Sequence, residues 1–397
     1  MVTEDLVVGG AQVFALRLAQ ALSADYNVYF LVYHKNLVLD DLARKLAPDV
    51  SVISHKPFLG NMILLIDRLL FKVGIDEALY NYFVNRWIKH QLLELHIDII
   101  HTHAFKVDYE ILKLIGSVPV SWIITTHGDH AGFYERSVNR EGPYVLNYAD
   151  KLKAIFQRLN YFVYLTDRQL RFTTVFSDIE YEIHKKKLRK IYNGCAGSFF
   201  SSKQSISAHL EVARLSMIYG MVARSHPDKG WSECIKAFER VVQVNPDVGL
   251  ILVGSGEYLD QLRKRHSQTK NLFFVGYSAN PIDWIQIFDV GLLPTRNDNL
   301  PTSVIEYLYC GKPVITTDVG EISKMISCSE GRAGFVLQLN SAGKADTKEI
   351  SNCMIKYYEQ SELYTDHCVK AKKAFKKFRM EKCLKEYLRL YQEASTK

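Results

Sequence analysis

No stretch of the 397 residues approaches the roughly 20 consecutive apolar positions that a membrane-spanning helix needs. The opening MVTEDLVVGG has neither a basic end nor an apolar run, so no secretory signal is expected and the chain reads as cytoplasmic. Cysteine offers no framework either. Cys195, Cys234, Cys310, Cys328, Cys353, Cys368 and Cys383 form an odd set without CxxC or zinc-like spacing, which points to reduced structural thiols and no metal site. C2H2 spacing, an RNA-binding signature and a dense basic helix are all missing, and a formal charge of +7 is mild for this length. That excludes committed nucleic-acid binding and suits anionic ligands or an acidic membrane surface. The third glycine of GxGxxG is lacking in VGSGEYLDQL, so a nicotinamide cofactor is not expected. There is no short repeat and no low-complexity tract.

What is present is the composition of a globular protein, 48% hydrophobic and 23% charged, in a chain long enough for two domains. Both halves alternate short apolar, β-branched runs with amphipathic helical stretches, the pattern of parallel sheets with crossover helices. Strands are predicted at 27–33, 98–103, 120–127 and 161–166, then at 215–222, 248–254, 271–276, 290–295 and 312–318. GAQVFALRLAQALSADY and GWSECIKAFERVVQVNP carry apolar residues at helical spacing. The Ser-rich stretch Gly197–Leu210 is the linker candidate. The expected division is therefore an N-terminal Rossmann-like domain over 1–196, a second over 211–375, and a helix over 376–397 that returns to the first. One feature is out of place. Only eight residues precede Gly9–Gly10, and MVTEDLV makes a poor buried strand, so the first strand is expected to be missing.

Several motifs fall at strand ends. Gly9–Gly10 precedes an amphipathic helix, where bare backbone lets a phosphate approach the free N–H groups; a simple tight turn fits equally. YGMVARSHPDKGW places Arg224 and Lys229 on one loop after a strand, either as a phosphate clamp or as solvated charges. THGDH brings His127 to a strand end, in a catalytic or a structural role, and HTH does the same for His101 and His103. In GLLPTRNDNLPTSVIEYLYCGKPVI, Asp298 lies in a loop and Glu306 early in a helix that Pro301, Thr302 and Ser303 open. Helix N–H donors with two carboxylates suit an anionic ligand carrying many hydroxyls. An ordinary cap with a dipole partner is the alternative.

Taken together and in this order, GGAQ, THGDH, KIYNGC, ARSHPDKG, VGSGEYLDQL with FFVGY, and the 298–306 carboxylate pair resemble the retaining glycosyltransferases of family 4, bacterial surface-polysaccharide type. The resemblance implies an α/β GT-B fold, two Rossmann-like doubly wound domains facing a cleft. It also implies roles residue by residue. Arg224 and Lys229 hold the donor diphosphate, Glu306 the ribose, and Asp298 the transferred sugar. His127 sits at the sugar's reacting side, and Gly9 and Gly10 approach the diphosphate. Leu300, Pro301 and Thr302 border the donor, Leu300 and Thr302 through backbone N–H groups, while Gly254 and Tyr277 lie on the nucleotide side. The family needs no cofactor and no metal. Its first carboxylate is usually Glu and here is Asp298, one methylene shorter, so the sugar does not follow.

The resulting expectation is a retaining transferase that moves a hexose or hexosamine from a nucleotide diphosphate sugar to a glycan or lipid-linked acceptor. A sugar-nucleotide epimerase and a non-catalytic sugar-nucleotide binding protein are the alternatives. Residues 56–91 mix Met62, Leu65, Leu69 and Leu70 with Arg68, Lys72, Arg86 and Lys89, and add Tyr80, Tyr82 and Trp87. Peripheral contact with an anionic membrane, on its inner face, is one reading of that segment, and packing on the sheet is the other.

Overall fold

The computed structural model describes residues 1–397 apart from 7–8, 34–39, 56–59, 73–78, 129, 140–146, 197–211, 279 and 396–397. The linker candidate therefore lies outside the described residues. The chain forms two compact units, Met1–Gly194 with Met380–Lys397, and Cys195–Arg379.

In the first unit seven parallel strands run β3-β2-β1-β4-β5-β6-β7. They are β1 (Val2–Thr3), β2 (Tyr29–Val32), β3 (Ser51–Ser54), β4 (Ile99–Thr102), β5 (Ser121–Thr125), β6 (Tyr161–Tyr164) and β7 (Leu188–Lys190). The expectation of a missing first strand is corrected here. Val2 and Thr3 pair with β2, and Val2 also with β4, so the position between them is filled. Two residues suffice because neighbours on both sides supply the bonds: Tyr33 N–H donates to Thr3 and His103 N–H to Val2. β3 and β7 escaped notice because SVIS and LRK are edge strands, only half buried, and carry no apolar run.

Alternation along β5 sends Trp122 and Ile124 to one face and Ile123 to the other. The first face packs under Val107, Leu152 and Phe156. The second receives Phe14 and Leu18 from the helix Gly10–Leu22, and Tyr387 and Leu390 from the helix Met380–Ser395. Gly194 permits that docking, since a Cβ there would lie 2.7 Å from Cys383 Cβ and 2.9 Å from Met380 Cα. A cavity of about 980 Å³ opens among the strand starts, lined by Val28, Tyr29, Asp98, Ser121 and Asn160. That is the N-terminal edge of the sheet, and of the histidines singled out by sequence it reaches His101 but not His103 or His127.

The second unit has six parallel strands in the order β10-β9-β8-β11-β12-β15. These are β8 (Met217–Val222), β9 (Val248–Val253), β10 (Leu272–Gly276), β11 (Val290–Leu293), β12 (Val314–Thr317) and β15 (Gly334–Leu337). A two-residue hairpin, β13 (Ser327–Cys328) and β14 (Gly331–Arg332), precedes the last. Chain order reverses between β8 and β11. In a doubly wound sheet, the loops leaving the C-terminal ends of two such strands diverge and leave a crevice.

Candidate functional site

Two loops border that crevice. After β8 the chain runs through Ala223–Pro227 into a single turn, Pro227–Lys229, and then the helix Trp231–Val244. Gly230 makes the junction at φ +84, where a Cβ would stand 2.4 Å from the Pro294 carbonyl oxygen, so the two loops meet at bare backbone. Trp231 Nε1 donates to the Arg224 carbonyl at 2.9 Å, and the Ser225 hydroxyl accepts from Leu259 N–H at 3.0 Å. The anchored loop leaves Arg224 exposed while Lys229 is buried.

The loop after β11 closes on it. Lys229 Nζ lies 2.7 Å from Asp298 Oδ2, with side-chain exposures of 11% and 18%. The two residues that the sequence assigned to different parts of a ligand thus form one ion pair. Arg296 N–H and the Thr295 hydroxyl both donate to the Asp228 carbonyl, at 2.7 and 3.1 Å. From the far side the turn after β12 braces the same loop. Gly320 has φ +57, and a Cβ there would sit 2.2 Å from the Asp298 carbonyl oxygen. Glu321 N–H donates to the Asn299 carbonyl at 3.0 Å.

Pro301 then opens the helix Thr302–Tyr309. The ordinary hydroxyl cap, the alternative for this stretch, is not formed: among the described residues no side chain caps this helix, and Ser303 is buried. Its first-turn amides therefore begin with no side-chain acceptor, and the positive end of the helix lies beside Asp298. Tyr307 fixes the helix against the sheet, its hydroxyl accepting from Val222 N–H at 2.8 Å and donating to the Leu292 carbonyl at 3.2 Å. Glu306 is buried on this helix, and Leu300 is buried just before it. On the outer strands, Gly254 N–H donates to the Gly276 carbonyl at 2.9 Å, and Tyr277 stands 47% exposed beyond it.

Sequence reasoning missed a second layer. Arg296 lies 3.6 Å from Glu233 and 4.0 Å from Asp228, which ties the β11 loop to the helix after Lys229. No spacing rule pairs residues 63 and 68 positions apart. The only available signal was their position on motifs already noticed.

In the first unit Gly9 precedes the helix Gly10–Leu22 in extended backbone (φ −161) with no side-chain cap. His127 follows β5, and burial pushes it down to about 4. Its Nε2 is 3.2 Å from His103 Nδ1. His101 is committed on both nitrogens, to Tyr391 and to Thr125, each at 2.7 Å. Among the described residues no group of three His, Cys, Asp or Glu side chains could hold a metal ion, and no helix is long and apolar enough to cross a membrane.

Against known proteins, the crevice-bearing unit is the part that matches a family model. Residues 204–373 match the glycosyl transferases group 1. The chain has the GT-B fold. The match takes in Arg224, Lys229, Gly254, Tyr277 and the whole 298–306 element. MJ1059 of Methanocaldococcus jannaschii, an uncharacterized glycosyltransferase, is 29% identical over 118 residues, 29% of each chain. The UDP-Gal:alpha-D-GlcNAc-diphosphoundecaprenol alpha-1,3-galactosyltransferase of Escherichia coli is 22% identical over 258 residues, 61% of this chain and 63% of the relative. Anabaena Alr3699/HepE, solved with UDP-glucose, superposes with a TM-score of 0.72 at 15% identity, over 99% of this chain and 98% of that one. The chain spans between 21% and 41% of the lengths of the first three curated relatives it matches.

Proposed function

We propose that the chain is a retaining glycosyltransferase that moves a hexose or hexosamine from a nucleotide diphosphate sugar to a glycan or lipid-linked acceptor, in the synthesis of cell-surface polysaccharide. The observation that carries this is the Lys229–Asp298 pair at the strand reversal of the second unit, beside a helix start without a side-chain cap. A lone cation there would suit any anion. A cation already matched to a carboxylate suits a ligand that brings both negative charge and hydroxyls. On binding, the diphosphate takes Lys229, and Asp298 turns to the sugar hydroxyls.

The rest of the element completes the reading. Arg224, exposed on the loop, adds a second cation to the diphosphate. The N–H groups of Leu300 and Thr302, on either side of Pro301, face charge that grows on the leaving phosphate, and oriented donors of this kind take the place of a divalent ion. Glu306 accepts from the ribose. Tyr277 and Gly254 lie on the nucleotide side. In a front-face displacement the departing phosphate deprotonates the acceptor hydroxyl as the new glycosidic bond forms on the same face, so no enzymic nucleophile takes part. Gly9, Gly10 and His127 are proposed to serve the same reaction from the first unit. A uridine donor is supported by neighbours whose structures contain UDP or UDP-glucose, and a lipid-linked acceptor by the name of the Escherichia coli relative.

Contact with a membrane is the finer part of this proposal. In the helix Gly60–Lys72, Met62, Leu65 and Leu69 are 52%, 58% and 57% exposed, so this stripe does not pack on the sheet. Tyr82 and Phe83 of the helix Leu79–Glu94 are exposed too, as is Arg86. Two of the aromatics read as interfacial are otherwise engaged: Tyr80 is buried, and Trp87 stacks on His55 with ring centroids 5.1 Å apart. The Arg68 and Lys72 side chains lie outside the described residues. An exposed apolar stripe of this kind suits the headgroup boundary of a bilayer.

Thermal denaturation with UDP, UDP-glucose and GDP-mannose tests the donor site. A ligand at a hundred times its dissociation constant stabilises by about 2.7 kcal/mol, a shift of roughly 5–10 °C for domains of this size. No shift with any nucleotide refutes the reading.

A further inference from the structure

His103 directly follows β4 and His127 comes two residues after β5, so adjacent parallel strands deliver both rings to one sheet edge. The rings stack with centroids 5.5 Å apart and planes 23° apart. His103 is 4% exposed and its Nε2 has no hydrogen-bond partner among the described residues. Its neighbours offer nothing more: the ring of His101, 4.3 Å away, has both nitrogens committed. Phe14 closes the pair from the helix behind Gly9–Gly10, its ring 6.3 Å from His103 and 5.7 Å from His127.

A neutral imidazole carries one N–H, so a single proton occupies the contact between His103 Nδ1 and His127 Nε2. Burial keeps both rings neutral at physiological pH. If His127 were the donor, the His103 proton would be on Nε2, and a buried N–H would have no acceptor. If His103 is the donor, only a lone pair is left bare there. Orphaned buried donors are the rarer and costlier case.

We infer that His103 donates from Nδ1–H to His127 Nε2 and so fixes His127 as the Nδ1–H tautomer, a hydrogen-bond donor with no free lone pair. His103 is then a positioning residue. His127 cannot take a proton from an acceptor hydroxyl. It can only donate, which suits a sugar hydroxyl or ring oxygen. The tautomer stands on the ring geometry and on burial; only what His127 faces rests on the proposed function.

Long-range proton–nitrogen NMR on chain labelled at the histidine nitrogens reads the tautomer directly, with His127→Gln assigning the signals. The wild type is expected to show His127 protonated at Nδ1 and bare at Nε2, and His103→Phe to shift His127 towards Nε2–H. A wild-type His127 carrying its proton on Nε2, or a tautomer unmoved in His103→Phe, overturns the inference. Should His103→Phe fail to fold, the wild-type spectrum decides alone. UDP release from UDP-glucose separates the two readings. His103→Phe is expected to lower kcat by about 10-fold with little change in KM, less than the roughly 100-fold of losing an oriented donor outright, because His127 itself remains. An unchanged kcat beside a shifted tautomer would remove His127 from the reaction and leave the tautomer assignment standing.

Discussion

Removing Lys229 should do two separable kinds of damage. Its ammonium is 2.7 Å from the Asp298 carboxylate, and both side chains are more than four-fifths shielded from water. Lys229→Ala leaves that carboxylate without its counter-charge. Breaking a buried pair from one side costs about 3–5 kcal/mol, and the residual exposure of Asp298 puts this case near the low end. A loss of about 3 kcal/mol lowers the midpoint of the second unit by roughly 6–12 °C. The same substitution removes the cation proposed to receive charge from the leaving diphosphate, so kcat should fall by about 100-fold or more. Urea denaturation and UDP release from donor measure the two losses independently. Neutralising both partners, in Lys229→Met with Asp298→Asn, removes the orphaned charge and should restore most of the stability. Turnover should stay low. Wild-type turnover in Lys229→Ala, or turnover that returns with stability in the double variant, would refute the assignment and make the pair a structural brace.

Glu306→Ala should weaken UDP itself, whereas Asp298→Ala should spare UDP and lower turnover; calorimetry that finds equal weakening would reject the division. EDTA should leave activity intact, and loss rescued by Mg2+ would overturn the part given to Lys229, Arg224 and the helix amides. Asp108 is buried, lacks a partner at Oδ1 among the described residues, and is pushed up to about 8 by burial. The native state therefore holds a proton that the unfolded chain releases above about pH 4, and stability falls as pH rises from there to about 8. Asp108→Asn should match the wild type at pH 4 and exceed it increasingly up to pH 8, as urea midpoints would report. Leu65→Asp with Leu69→Asp should abolish flotation with anionic vesicles, and flotation equal to the wild type would detach the exposed stripe from membrane binding.

The amino-acid sequence by itself determined most of the sheets and where chemistry could reside. Long β-branched runs such as VGLILV are buried on both faces, so their pattern needs no partner to be read. Turns at strand ends announce themselves through Gly, Pro and charge, which is why Arg224, Lys229, Asp298 and His127 were visible in advance. The two-residue β1 and the short edge strands β3 and β7 were not. Val2–Thr3 acquires its state only from neighbours on both sides, and Ser51–Ser54 and Leu188–Lys190 are edge segments whose polar residues carry no periodic signal. Tertiary structure alone decided the pairings. Lys229 with Asp298, Arg296 with Glu233, and His103 with His127 join residues 24 to 69 positions apart. Those contacts depend on strand order, and strand order is set by how whole layers pack rather than by any local spacing. The same reason explains the stripe on Gly60–Lys72. Amphipathic spacing is identical for a helix that covers a sheet and for one that faces outward, and only the packed structure shows that Leu65 and Leu69 stay in the open.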